Sequence, residues 1–211
     1  ECGDLSPLSL SERLEEKESG DKSPHSKVDP ENRLLWRQNR RRLDFEAMRD
    51  SLLAVAGGID HAPGGPSVDL AKEPFSRRRT VYGFVERQNL PGMLRTFDFA
   101  SPDTHCPQRF TTTVPQQALF LMNSPFVVEQ ARRLANRPDV QAEADPGLRI
   151  QRLCRYALGR SASAEELELG LNFVQRAAEI LASTPGATHA MSSWEQFAQV
   201  LLLSNEFLFV D

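Results

Sequence analysis

The placement of proline constrains this chain most, because several prolines stand where a helix can start and none of these positions lets one continue. Pro146 follows Asp145 and Pro30 follows Asp29, each pair in the order of a capping residue and then the first helical position. Pro115 lies in the first turn of a segment whose Thr113 and Gln116 have capping-box spacing. The helix begun there carries Ala118, Leu119, Leu121 and Met122 and runs into Asn123-Ser124-Pro125, where it has to break. A second helix follows, with Val127, Ala131, Leu134 and Ala135 on one face, and ends near Pro138. Short helices joined at corners are what such punctuation allows.

The remaining segments fit that frame. Asp44 precedes Phe45, Met48, Leu52, Val55 and Ala56 at helical spacing, and Gly57-Gly58 closes the segment. Ile150, Leu153, Cys154, Ala157 and Leu158 repeat at i, i+3, i+4, i+7 and i+8 up to Gly159, so Cys154 points into the core. Ser163 and Glu166 form a capping box for a helix carrying Leu167, Leu171, Val174, Ala178 and Leu181, which stops at Thr184-Pro185-Gly186. The last helix opens around Ser192 and Glu195 and buries Trp194, Phe197, Ala198, Leu201 and Leu202. Its apolar tail, ending in Phe207-Leu208-Phe209-Val210, docks on the body. Leu34, Leu35 and Trp36 supply apolar residues to a helix begun at Asp29-Pro30. Residues 59–79, dense in proline and glycine, read as a long irregular loop. Thr80 to Glu86 has β-branched and aromatic residues in strand order, with Phe110 to Val114 as a short partner. The expected fold class is mainly α: a helical bundle-like domain over residues 29–211, with a small β element and long loops.

Residues 1–28 hold too few apolar side chains to pack and read as a disordered tail. Gly3-Asp4-Leu5-Ser6-Pro7 and Gly20-Asp21-Lys22-Ser23-Pro24 can be encoded by reverse-complementary stretches, so the tail is a candidate for a translated inverted repeat. The 211 residues, 40% of them hydrophobic, suit one domain or at most two. No apolar run approaches the roughly 20 residues that span a bilayer, and the start of the chain lacks the order of a signal peptide. The net charge of -4 argues against a general polyanion binder, although the basic excess gathers in the middle third. Cys2, Cys106 and Cys154 are spaced too widely for a zinc knuckle or a haem-attachment motif, so no metal and no cofactor is encoded by cysteine.

The polar chemistry concentrates between Phe97 and Arg137. Asp98, Asp103, His105, Cys106 and Arg109 share one loop, and Asp98, Asp103, His105 and Arg109 are the catalytic candidates. One of the acids or His105 would act as general base and Arg109 would grip an anionic group. The structural alternative has Arg109 pinning an aspartate and loop carbonyls, with Thr113, Gln116 and Asn123 shaping the corner. It is preferred, because a carboxylate and an arginine in one loop serve pairing as readily as catalysis. Cys106 is poorly placed as a nucleophile, since His105 beside it points to the opposite side of an extended loop. Arg40, Arg41 and Arg42, with Arg77, Arg78 and Arg79, are candidate phosphate or sulfate contacts, but no aromatic residues interleave with them.

The order of the motifs NRLLWRQNRRRLDFEAMRDSLLAVAGGID, GGPSV, RRRTVYGFVER, FDFASPDTHCPQRFTTTVPQQALFLMNSPFV, YALGR and LLLSNEFLFVD resembles the planctomycete-type C-terminal domain of unknown function 1553. That resemblance runs from about residue 32 to the terminus and carries no established activity. It implies a larger exported parent protein, periplasmic or in the cell envelope, often beside a cytochrome c domain that would hold the only haem. The expected function is a non-catalytic structural or interaction module whose partners are other domains or proteins of an envelope assembly. The alternatives are a hydrolase-like or carbohydrate-acting enzyme centred on the Asp98 to Arg109 loop, and polyanion or nucleic-acid binding through the arginine runs.

Overall fold

Proline and glycine mark element ends in three dimensions much as they do along the chain. The computed structural model of the protein describes residues 32–35, 38, 41–183 and 191–210, which fall in two compact units, residues 1–40 with Asp211 and residues 41–210. In the first unit Asn32 to Leu35 form a turn, closed by the Leu35 N–H on the Asn32 carbonyl at 3.2 Å, with both residues at positive φ. A turn therefore stands where helix was expected over Leu34 and Leu35. Asp29, Pro30, Trp36, Arg40, the 1–28 tail and Thr184-Pro185-Gly186 lie outside the described residues.

The second unit is mainly helical. Its elements are β1 (Arg41–Arg42), α1 (Phe45–Val55), α2 (Gly92–Thr96), α3 (Pro115–Asn123), α4 (Pro125–Ala135), α5 (Pro138–Gln141), α6 (Pro146–Leu158), α7 (Ala164–Ser183), α8 (Ser193–Leu202), α9 (Asn205–Leu208) and β2 (Phe209–Val210). Four of these helices open on proline at their first position. Asp145 caps α6 by accepting from the Leu148 N–H at 2.9 Å, and Gly159 ends it at φ 72, a conformation that glycine adopts without a Cβ penalty. Ser163 with Glu166 and Ser192 with Glu195 form reciprocal capping boxes for α7 and α8.

Helix α8 packs against α4 and α7, and α6 touches both α7 and α8. Leu52 from α1, Val127, Ala131 and Leu134 from α4, Ile150 and Leu153 from α6, and Ala198 and Leu202 from α8 are fully buried in one cluster. Each such leucine or isoleucine contributes about 1.5–3 kcal/mol. The tail docks as expected: Phe207 and Leu208 are buried, and β2 pairs antiparallel with β1, Arg41 opposite Val210 and Arg42 opposite Phe209.

The small sheet is thus not the one anticipated at Thr80 to Glu86. There the Thr80 N–H and hydroxyl both donate to the Asp50 carboxylate, at 2.7 and 2.6 Å, and Arg49 takes the Ser76 and Arg78 carbonyls at 2.6 and 3.0 Å. Backbone groups that a ladder would need are already engaged, so Thr80–Tyr82 forms a 3-10 turn and only the isolated bridges Asp60–Arg78 and Val68–Gly83 appear nearby. The start of α3 also shifts by one residue. Val114 takes the N-cap position, and Gln117, not Gln116, reaches back to its N–H at 3.4 Å. Along α3 the buried residues are Gln117 and Leu121, whereas Leu119 and Met122 are exposed. In α7 the buried residues are Gly170 and Ala177, with Leu171 and Ala178 turned outward. A Cβ at Gly170 would stand 3.1 Å from Ile150 and from the Phe197 ring, so the helices close most tightly where α7 has no side chain.

Candidate functional site

The loop between α2 and α3 begins with Asp98 in the left-handed region at φ 59, a conformation that aspartate tolerates better than most residues. Its carboxylate accepts from the Thr112 N–H at 2.9 Å, the Thr112 hydroxyl at 2.7 Å and Arg42 Nη2 at 3.1 Å. Arg42, reaching in from β1, also donates through Nη1 to the Thr112 carbonyl and to Gln117 Oε1. Gln117 completes the circle through Nε2, at 2.9 Å from the Thr96 carbonyl and 3.2 Å from that of Thr112. The Arg42 and Asp98 side chains are only 11% and 15% exposed. Burial pushes the Asp98 carboxyl up, but the Thr112 and Arg42 hydrogen bonds outweigh it and hold it below the usual carboxylate range.

Arg109 leaves this circle and turns to α1. Its two terminal nitrogens grip Glu46 at 3.0 and 2.8 Å, and the guanidinium lies over the Phe99 ring at 4.6 Å. The Glu46 hydrogen bond raises the Arg109 pKa further above its ordinary value. Asp103 meets Arg87 at 3.5 Å with both side chains exposed, His105 is exposed, and the Cys106 thiol donates to the Gln108 carbonyl at 3.2 Å. The structure therefore does not bring the four catalytic candidates together. Asp98, Asp103 and Arg109 each have a different partner. Beside the Arg42 network lies a cavity of about 220 Å³ walled by Phe97, Leu121, Leu208 and Phe209, and none of Asp98, Asp103, His105, Cys106 and Arg109 lines it. Of the corner residues, Asn123 donates to its own helix at the Leu119 carbonyl (2.9 Å), and Thr113 borders the same cavity.

Among the described residues of the arginine runs, Arg42, Arg77, Arg78 and Arg79 bond to other parts of the fold. Arg77 donates to the Gly58 carbonyl at 2.6 Å, Arg78 donates to the Pro66 and Gly64 carbonyls and stacks 4.1 Å from the Tyr82 ring, and Arg79 meets Asp50 at 3.4 Å. Arg41 pairs with Asp44 at 3.9 Å and is largely exposed. Sequence reasoning did not single out Glu46, Arg49, Asp50 or Gln117. The signal for Arg49 was present: it stands with Phe45, Met48, Leu52 and Leu53 on the buried face of α1, a position where a charged residue must find partners in the interior.

A further tie closes the C-terminal half. Arg160 grips Glu166 at the start of α7 (2.7 and 2.8 Å) and Glu206 in α9 (2.6 Å). The Arg160 hydrogen bonds take the Glu166 carboxyl down to about 2. Tyr156 donates to Asp139, which lowers that carboxyl as well. Cys154 is buried, and burial pushes its thiol up. Among the described residues no three His, Cys, Asp or Glu side chains come together as a metal site would need, and no helix is long and apolar enough to cross a membrane.

These features define a class, a helical module whose motifs are joined to one another by arginine. The chain belongs to PSD1, a family of proteins of unknown function (DUF1553), whose family model matches residues 11–174. The matched span begins within the segment read from the sequence as a tail and ends within α7. No curated protein and no solved structure matches the chain.

Proposed function

We propose that this chain is a non-catalytic structural or interaction module of a larger envelope-associated protein, working beside a domain such as a cytochrome c that would carry any haem. The observation that supports this reading most is that Arg109 and Asp98 are held by Glu46 and Arg42, so the loop's strongest charges are each paired with a different residue of the β1–α1 segment. General acid-base work needs groups within reach of one substrate atom, and side chains paired in this way are suited to holding a loop on helices. The envelope setting and the partner domains rest on the family resemblance.

The experiment is thermal unfolding of Arg109→Ala, Glu46→Ala and the double variant. For a partly exposed bidentate pair with a ring contact, each single change should cost about 1 kcal/mol, or roughly 2–4 °C for a chain of this size. The double variant should cost less than the sum. Melting temperatures unchanged in both single variants would refute the structural role.

A further inference from the structure

Helix α7 meets the rest of its unit along one narrow seam. Of its 20 residues Gly170 and Ala177 are buried, and Leu167 and Val174 pack beside them on the core. One position before each residue of the Gly170, Val174 and Ala177 row, and so about 100° round the helix, runs a second seam: Leu169, Phe173, Arg176 and Ile180, at i, i+4, i+7 and i+11. Alternating steps of four and three are the spacing by which one helix pairs with another. All four residues line a groove of about 440 Å³ that Gln196 borders from α8. Leu169 and Ile180 are 68% and 65% exposed, and Phe173 is half-buried with the Phe197 ring at 6.0 Å. Arg176, at the middle of the seam, makes no hydrogen bond or ion pair among the described residues, whereas Arg160 near the start of the same helix holds both Glu166 and Glu206. An apolar stripe with one unanswered guanidinium is a surface that asks for a matching partner.

We propose that this seam pairs with α7 of a second copy of the chain, antiparallel about a twofold axis that passes between Val174 and Gln175. In that arrangement the seam is its own complement, as a twofold interface has to be. Leu169 meets the second copy's Ile180 at each end, and Phe173 meets its Arg176 twice in the middle, so the guanidinium finds a ring face. A parallel pairing would set Arg176 against Arg176 in an apolar surrounding, with neither charge answered. Beside the seam, Asn172 comes next to the second copy's Glu179, whose carboxylate is otherwise held by Gln175 of its own helix at 3.3 Å. About three turns of paired helix fall short of the roughly 1,200 Å² of a stable interface, so the dimer is weak and half-formed at roughly 10–100 µM. Neither Asp98 nor Arg109 lines the groove, so a chain that stayed monomeric would leave the structural role of their loop standing.

The test is sedimentation equilibrium of the whole chain over concentrations on both sides of that range, for the parent and for Leu169→Glu and Ile180→Lys. The parent should pass from monomer to dimer as concentration rises, with no larger species. Both substitutions change a side chain that is mostly exposed, so the far-ultraviolet spectrum should be unchanged, and each variant alone should remain monomeric because it places two charges against apolar residues. An equimolar mixture of the two should associate again. Antiparallel pairing sets the new glutamate of one variant against the new lysine of the other, while the opposite end keeps its leucine and isoleucine layer. A parent that is monomeric throughout, a single variant that dimerises as the parent does, or a mixture that fails to associate would overturn the proposal.

Discussion

Asp98 shows how much one residue can hold. It occupies a left-handed backbone position, accepts both polar groups of Thr112 and answers the charge of Arg42, all with a side chain mostly removed from water. Asp98→Asn keeps the backbone tolerance and the acceptor oxygen and loses the charge, so it should cost about 1 kcal/mol. Asp98→Ala strands the Arg42 guanidinium and the Thr112 donors together and adds strain at positive φ, for a cost of about 3 kcal/mol. Denaturant titration of both variants measures this, and equal costs would show that the carboxylate's contacts are not what matters. The sequence had Arg109 pinning an aspartate and loop carbonyls, whereas in the fold Arg109 takes Glu46 and Asp98 takes Arg42. It could not name these pairs, because Arg42 lies 56 positions before Asp98 and Glu46 lies 63 before Arg109. Arg49 stands on the buried face of α1, but its partners are likewise remote, 27 to 31 positions further along the chain.

Elements were legible wherever their own ends decide them. Capping boxes at Ser163 and Ser192, the Asp145 cap and the prolines opening α3, α4 and α6 act within a turn of themselves, so no tertiary information is needed. The segment at Thr80 was misread because its fate is set from outside, by Asp50 and Arg49 on α1. On α7, Leu167 and Val174 pack against the core as expected, but Gly170 and Ala177 are buried where Leu171 and Ala178 were expected, because Gly170 permits a closer approach to α6 and α8 than Leu171 would. That contact can be tested directly. Gly170→Val places branched carbons where Ile150 and Phe197 already stand at 3.1 Å from a bare Cβ. The overpacking should cost about 1–3 kcal/mol against the helix-propensity gain of a few tenths expected for leaving glycine. A valine variant as stable as the parent would mean that the α6–α7–α8 interface has slack that the distances deny.

At the scale of the whole molecule, segments far apart in sequence meet through arginine. Arg42 and Glu46 near the start of the helical unit fasten the loop before α3, Arg49 and Asp50 fasten the loop at Thr80, and Arg160 between α6 and α7 fastens Glu206 in α9. The Arg160 cluster gives this arrangement a pH signature. The Glu166 carboxyl titrates near 4.5 when unfolded and at about 2 in the fold. A carboxyl whose folded value is depressed stabilises the protein above its unfolded value and loses that contribution as pH falls through the folded one. Stability should therefore decline between about pH 5 and pH 2, part of the decline belonging to Glu166 and part to Asp98, which is depressed by Arg42 and Thr112. Replacing Arg160 with methionine removes the hydrogen bonds that hold Glu166 down, so the variant should start lower at neutral pH and fall less steeply over that window. Because all three side chains are partly exposed, molar salt should bring the two proteins together near neutrality by weakening the parent. Denaturant midpoints measured from pH 7 to pH 2 in low and high salt read all of this. If the variant's pH slope were as steep as the parent's, the acid sensitivity would have to come from other carboxylates, and Arg160 would not be what couples α7 to α9.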